Sequence, residues 1–314
     1  MQPFRYLLAR YDSASTFTQL LISSLATAVP YYVAALLSYQ VSALATYGGW
    51  KAVAVHGGAV VLVTVVVVLA ARYVVAIREV KSRETALRKE ALSRAYTLCD
   101  RVLTWRIAQV NNAHCSSPDL LWALTASVSG LRQIVDAAHE ALEGTYGNLD
   151  PERRIDFEVT FMTRSLADDQ ITIPAAANRD GRQPHSMLLR KSNPTLYETT
   201  VTATVFRENR PALHIIEDTA RDDSYVELYP GQKKRIRSSI VFPVVSDLNE
   251  LLGTIVAHCD QEGFFKHSHE GYWVDFFEIF AKRLAAESIK IRRLVQDGDA
   301  AAKAVVSSPI EPPY

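Results

Sequence analysis

The chain has 314 residues, and its 34 Lys and Arg balance 34 Asp and Glu to give a formal net charge of zero. This balance argues against a dedicated nucleic-acid-binding protein, and three cysteines are too few for a disulfide framework. The free thiols that this predicts suit a reducing compartment.

Two uncharged runs near the N-terminus, Phe17–Leu37 and Ala52–Ala71, are each long enough to cross a bilayer as a helix. Pro30 predicts a kink in the first crossing. Tyr47 and Trp50 lie in a glycine-containing connection, where aromatic rings favour the membrane interface. Residues 1–78 are therefore predicted to form a two-helix transmembrane hairpin.

Basic residues flank this hairpin on its outer ends, whereas its turn carries only Lys51. The positive-inside rule then places both termini in the cytoplasm. We expect a multi-pass protein of the cell inner membrane or plasma membrane. The flanking basic residues are Arg5, Arg10, Arg72, Arg78, Lys81, Arg83, Arg88 and Lys89.

An alternative treats Met1–Ala45 as a secretory signal peptide, with Ala43-Leu44-Ala45 as a small-x-small cleavage site. Its apolar core is longer than a signal peptide needs. If cleavage occurred, Ala52–Ala71 would remain as an anchor. The large C-terminal part is expected to face the cytoplasm in either case.

A linker helix is predicted for residues 79–116, because Val80–Val110 contains no Gly or Pro and is rich in helix-forming residues. Its apolar side chains recur every three or four residues and form one stripe. The stripe either packs on the following domain or pairs with a second chain as a coiled coil, which would give a homodimer or higher homo-oligomer. The stripe consists of Leu87, Ala91, Ala95, Leu98, Val102 and Trp105.

The next helix has clear boundary signals, with Ser117 as the N-cap, Pro118 in the first turn and Gly144 at the end. Its apolar residues alternate strictly by three and four, which favours packing against another helix at a shallow angle. These residues are Leu121, Leu124, Val128, Leu131, Val135, Ala138 and Leu142.

Beyond Gly144 the pattern changes to short β-type segments. They are Asp156–Arg164, Gln170–Ala175, Ala212–Ile216, Ser238–Val245 and Leu251–His258. Helices are predicted from about Leu196 to Glu208 and from Tyr272 to about Val295. This order predicts an α+β domain over residues 117–296, in which an antiparallel sheet is flanked by helices.

Three blocks follow one another in the chain, at Thr202–Asp218, Arg237–Val245 and Leu252–His258. Together they resemble the GAF family of small-molecule-binding and signalling domains. Thr202–Asp218 is similar to that family's helix, its arginine-proline turn and the short strand after it. Arg237–Val245 resembles the strand with arginine, serine and proline, and Leu252–His258 is similar to the leucine-glycine strand. The pair Phe264-Phe265, followed by Glu270, completes the order.

The resemblance narrows the ligand chemistry. Cyclic-nucleotide-binding members share an asparagine-lysine pair and a phenylalanine followed four residues on by aspartate-glutamate, whereas here Phe265 precedes His269-Glu270. Members that hold a linear tetrapyrrole, and the reductase members, depend on cysteines in the pocket. Cys99 and Cys115 lie in the helical part, so only Cys259 remains. No cofactor is assigned on this basis.

A pocket of this family would lie between one sheet face and two irregular segments, residues 178–196 and 219–234. Basic groups beside aromatic rings predict a small anionic, nucleotide-like ligand, held by charge-assisted contacts and stacking. The alternative is a pair of solvated charged loops. The candidate ligand-binding residues are Arg179, Arg182, His185, Arg190, Tyr225, Tyr229 and Lys233.

No catalytic or metal site is predicted. His258 and Cys259 point to opposite faces of a strand, and the side chains of Asp168-Asp169 and of Asp222-Asp223 diverge. We therefore expect that the protein is not an enzyme. Residues 297–314, which are rich in small residues and proline, are predicted to form a disordered tail.

Three functional hypotheses follow. The first is a membrane-anchored cytoplasmic sensor that transmits its ligand state through the linker helix to the hairpin or to a downstream signalling protein. The second is a membrane-disrupting effector of a cell-suicide or antiviral response, gated by the sensor. The third is a structural membrane protein whose GAF-like domain serves only for dimerisation. All three take the lipid bilayer as a partner, and none takes a nucleic acid.

Overall fold

The structure, a computed structural model, describes residues 49–113, 120–149, 154–165, 170–181, 199–228 and 230–296. The chain divides into two compact units, Met1–Ala86 and Leu87–Tyr314. The predicted crossing Phe17–Leu37, the N-cap Ser117 and the tail 297–314 lie outside the described residues. In the described part of the first unit the chain forms the beginning of one long helix, α1 (Gly49–Ala113).

The second predicted crossing, residues 52–71, lies within α1, but the side chains of most of its residues are outside the described part of the structure. Across the parts of the chain that the structure describes, no helix combines the length and the apolar character that a bilayer crossing needs.

In the second unit, the stripe predicted on the linker helix packs into the core of the same chain. Ala91, Ala95 and Leu98 of α1 are buried, and Leu87 and Val102 pack against the same cluster. Of the two alternatives that the sequence left open, packing on the following domain is the one that the structure shows.

Helix α2 (Leu120–Tyr146) buries its predicted stripe in the same core, where Leu124, Leu131 and Leu142 are almost fully enclosed. The predicted end at Gly144 is wrong, because the helix continues to Tyr146. Gly144 has a different role: a Cβ there would collide with the guanidinium of Arg94, which lies across α2 at this point.

Five strands form one antiparallel sheet in the order β2-β1-β5-β4-β3. Their alternating apolar residues explain why all five predicted β segments form strands. The strands are β1 (Phe157–Arg164), β2 (Ile171–Asn178), β3 (His214–Ile216), β4 (Ser238–Val245) and β5 (Leu251–Cys259).

One face of the sheet packs against α2 and the last helix, α5 (Glu270–Gln296). Aromatic residues fill this core: Phe265 and Trp273 are in edge contact at 4.9 Å between ring centroids, and Phe242 stacks on Phe277 at 5.9 Å. Burial of each such ring contributes roughly 1.5–3 kcal/mol, so this face supplies most of the packing energy of the domain.

The opposite face of the sheet is covered by α3 (Val201–Glu208) and by the segment around α4 (Gln232–Arg235). Helix α3 was predicted from about Leu196; it begins at Val201, where the Thr200 hydroxyl caps the first turn by accepting a hydrogen bond from the Ala203 amide at 3.2 Å. A second, smaller apolar cluster, which includes Met162, Phe206 and Val256, joins α3 to the sheet. The candidate site lies on this face.

Candidate functional site

A row of polar side chains crosses four neighbouring strands on the face that α3 covers. In the register of the sheet, Glu158 pairs with Asn178 on one side and with His258 on the other, and His258 pairs with Ser239. Cross-strand partners project from the same face. Amide, carboxylate, imidazole and hydroxyl groups therefore follow one another across β2, β1, β5 and β4, and we call these four residues the polar row.

Glu158 carries the negative charge of the row. Its side chain is only 11% exposed, and Oε2 accepts a hydrogen bond from Nη2 of Arg235 at 2.8 Å. Burial raises the pKa of Glu158, and the positive charge of Arg235 opposes that shift. Arg235, the last residue of α4, is 47% exposed, so the pair joins a buried carboxylate to a guanidinium at the surface.

His258 is the uncharged centre of the row. Burial lowers the pKa of His258 to about 4, and the nearby positive charge of Arg235 adds to the effect. The imidazole is therefore neutral at pH 7. Its Nδ1 shares a hydrogen bond of 2.9 Å with the Ser239 hydroxyl, in which either group can donate.

A cavity of about 60 Å³ lies under α3, on one side of His258. Its walls are largely apolar, with Met162, Val241 and Val256 from the sheet and Tyr225 from the loop before α4. Ligand pockets usually measure ~300–1,000 Å³, so this cavity accommodates a small apolar group and not a nucleotide.

On the other side of His258, an open groove of about 330 Å³ runs along the ends of β1, β2 and β5. The groove contains both ion pairs of this region, Glu158 with Arg235 and Asp156 with Arg179, the latter at 3.0 Å. His258 lines the groove and the cavity alike, and among the residues that the structure describes it is the one that both linings share. The groove by itself lies at the lower end of the size range of small-molecule sites.

A second groove, of about 690 Å³, lies between α1 and α2 on the helical side of the domain. Two ion pairs involve its lining. Nη1 of Arg101 lies 3.8 Å from Oε1 of Glu140, and Glu143 is paired with Arg154, which does not line this groove. His139 lies at its base and bonds to the Phe157 carbonyl at 3.1 Å, and burial lowers the pKa of His139. These contacts tie the helices to strand β1.

Of the predicted ligand-binding residues, the three that the structure describes do not line one common space. Arg179 lies at the groove and is paired with Asp156, whereas Tyr225 is buried and lines the cavity. Lys233 of α4 lines neither space. The other four, Arg182, His185, Arg190 and Tyr229, lie outside the described residues.

The residues that sequence reasoning missed are Glu158, Arg235, His258 and Ser239. One sequence signal for this site was present in β1. Glu158 is a charged residue in a largely apolar strand, and alternation along the strand directs its side chain to the face opposite the main core. Only the register of the sheet brings these residues together. Among the described residues no group of three or more His, Cys, Asp or Glu has the arrangement of a metal site.

Comparison with known proteins supports one family. The sequence model of the GAF domain matches residues 91–287, which is more than half of the chain. A search of curated proteins found no match.

Three solved structures are similar in part. The GAF domain of a phosphoenolpyruvate-protein phosphotransferase from Coxiella burnetii is 17% identical, with 64% of this chain and 98% of that chain covered and a TM-score of 0.38. The corresponding Acinetobacter domain is 15% identical, with 64% and 96% covered and a TM-score of 0.38. Free methionine-R-sulfoxide reductase from Neisseria meningitidis is 16% identical, with 55% and 94% covered and a TM-score of 0.35.

Proposed function

Because this chain belongs to the GAF domain family, we propose that it is a membrane-anchored sensor that binds a small molecule at the polar row without transforming it. The observation that carries this proposal is the buried carboxylate of Glu158, held by Arg235 beside a neutral His258, between a cavity and a groove. Burial of an ionic group costs free energy, and buried ionisable groups with perturbed pKa values cluster at functional sites. GAF domains are in general regulatory, which favours recognition over turnover.

Signal transmission from the domain is proposed to pass through α1. Arg106 of α1 donates two hydrogen bonds of 3.1 Å to the carboxylate of Glu287 in α5 and one of 3.1 Å to the Ser127 hydroxyl in α2. Near the start of the unit, Arg88 lies over the ring of Tyr272, at 5.5 Å from its centroid. These contacts couple the position of α1 to both helices that pack on the sheet.

Self-association is proposed through the exposed side of α1. Tyr96, Leu103 and Ile107 are exposed to 63%, 38% and 52% and recur at spacings of seven and four residues. That spacing suits a second helix, which supports a homodimer. Light scattering on the purified protein should give twice the mass of the monomer. The double variant Leu103→Lys/Ile107→Lys should have the mass of one monomer. A monomeric wild type would exclude the dimer.

Membrane anchoring is proposed from the sequence, on the uncharged runs 17–37 and 52–71 and on the basic residues that flank them. The full-length protein should stay in the membrane pellet through alkaline carbonate extraction. Reporter fusions at either terminus should be active only in their cytoplasmic form. Recovery from the aqueous fraction without detergent would contradict this part of the proposal.

The ligand-binding part is tested by native mass spectrometry of the full-length protein purified from cells. The wild type should retain a non-covalent ligand that Glu158→Gln loses, while Arg292→Gln, which removes an ion pair with Glu250 outside the groove, should keep it. Equal retention by all three proteins would place the ligand elsewhere. Dye release from vesicles on ligand addition would favour the membrane-disrupting effector over a receptor that acts on a downstream protein.

A further inference from the structure

The groove beside His258 contains charges of both signs at close range. Three cationic residues, Arg179, Lys234 and Arg235, line it together with four acidic ones, Asp156, Glu158, Asp180 and Asp260. A polyanion such as a nucleoside phosphate would meet several carboxylates here, and a polycation would meet the guanidinium groups. A molecule that carries one charge of each sign avoids both conflicts.

Within the groove, Glu158 and Arg235 are joined by one hydrogen bond, from Nη2 to Oε2. A guanidinium has five N–H donors, and Arg235 is half-exposed, so most of its donors face the groove or solvent. Glu158 is nearly enclosed, and the raised pKa of Glu158 indicates that Arg235 alone does not offset its burial. A second cation beside this carboxylate would stabilise its charged form.

The space beyond the pair has a different character. Past His258 lies the cavity of about 60 Å³, with apolar walls that include Val241 and Val256. The neutral imidazole adds no net charge between the two spaces. The site therefore offers a charged end and a small apolar end, separated by one ring that can donate or accept a hydrogen bond.

We propose that the groove binds the head of a small zwitterion of the α-amino acid class, with its ammonium on Glu158, its carboxylate on Arg235 and an apolar side chain directed past His258 into the cavity. This inference rests on the proposed function and names the ligand class of the same site. It replaces the nucleotide-like anion that the sequence predicted, because the four acidic residues that line the groove would repel a polyanion.

The experiment is isothermal titration calorimetry on the full-length protein at pH 7, with L-α-amino acids from alanine to phenylalanine and with L-norvaline as the reference probe. Butylamine and pentanoate are the matched analogues, since each keeps the norvaline side chain and lacks one charge. We expect one or more amino acids of this series to bind, and each single-charge analogue to bind at least tenfold more weakly than its parent. Equal affinity of an analogue and its parent would overturn the proposal.

Variants locate the binding. Glu158→Gln and Arg235→Gln should each weaken amino acid binding at least tenfold, with the melting temperature as the check that the variant folds. Arg292→Gln, which removes the ion pair with Glu250 outside the groove, should bind as the wild type does. Unchanged affinity in both groove variants would overturn the proposal. If either variant fails to fold, the comparison of norvaline with its two analogues on the wild type decides alone.

The outcomes also separate this inference from the proposed function. If no amino acid binds but native mass spectrometry finds another small molecule that Glu158→Gln loses, the zwitterion is wrong and the sensor proposal stands. If neither measurement finds a ligand, both fail.

Discussion

Replacement of His258 by glutamine should remove part of the pH dependence of stability. In the unfolded chain a histidine takes up its proton near pH ~6.5, whereas burial lowers the pKa of His258 in the fold to about 4. Between these values the unfolded state binds more protons than the folded state. The free energy of unfolding therefore rises with pH through this window and falls on acidification.

The size of the effect follows from the two pKa values. One pKa unit corresponds to about 1.36 kcal/mol, so the full shift is worth at most about 3 kcal/mol, and about 2–3 kcal/mol of it is lost between pH 7.5 and 4.5. Glu158 acts in the opposite direction, because its raised pKa makes the folded state bind more protons in mildly acidic solution. The difference between wild type and variant cancels that contribution.

The assay is urea unfolding of the full-length protein at pH values from 4.5 to 7.5, followed by tryptophan fluorescence and circular dichroism. Glutamine keeps a donor and an acceptor for the Ser239 hydroxyl, which bonds to His258 at 2.9 Å. Relative to His258→Gln, the wild type should lose about 2–3 kcal/mol more on acidification. If the difference in unfolding free energy between the wild type and His258→Gln stays constant with pH, the reasoning is refuted. Arg292→Gln serves as the control for the loss of a polar side chain elsewhere in the domain.

Three further substitutions test the packing that supports the site. Gly253→Ala would put a Cβ 2.6 Å from the Met162 carbonyl oxygen and should lower the free energy of unfolding by about 1–3 kcal/mol, measured by urea denaturation. Arg106→Met leaves the carboxylate of Glu287 buried without its charged partner and should lower the free energy of unfolding by ~3–5 kcal/mol. The double variant Arg106→Met with Glu287→Leu should recover most of this loss of stability. A double variant that is no more stable than Arg106→Met would argue against a stabilising ion pair. Ala95→Leu adds volume to a fully enclosed position of α1 and should lower the melting temperature, whereas an unchanged melt would mean that α1 does not pack on the core.

The architecture was largely predictable because its signals are local. The stripes on α1 and α2 follow a three-and-four spacing that only a helix places on one face, and the core buries the members Ala91, Ala95 and Leu131. Strand β4 has the predicted bounds, and β5 extends one residue further than predicted. Sequence alone could not settle whether the α1 stripe packs within its own chain, since both arrangements need the same spacing.

The site was less predictable because its members are far apart in the chain. Clusters of basic and aromatic residues in loops are a local signal, and they indicate Arg179 and Tyr225, which line different spaces. Glu158 and His258 each look like an isolated polar residue in an apolar strand, for which surface exposure is the usual explanation. Their proximity depends on the pairing of β1 with β5, which spans about 100 residues of sequence.

The pairing of Ser239 with His258 in the polar row depends on an irregularity that no strand prediction contains. At the hairpin between β4 and β5, Val244 pairs with Gly253 but Val245 pairs with Leu251, so Leu252 is an extra residue, a β-bulge. Without the bulge, the register set at the turn would pair Ser239 with Ala257. The side chains of β5 from Gly253 to Cys259 would then lie on the opposite face relative to β4. The bulge puts Leu252 into the main core and Leu251 into the cluster under α3. The same shift puts Ser239 and His258 on one face of the sheet, so the geometry of this turn decides whether the hydroxyl and the imidazole can form their hydrogen bond.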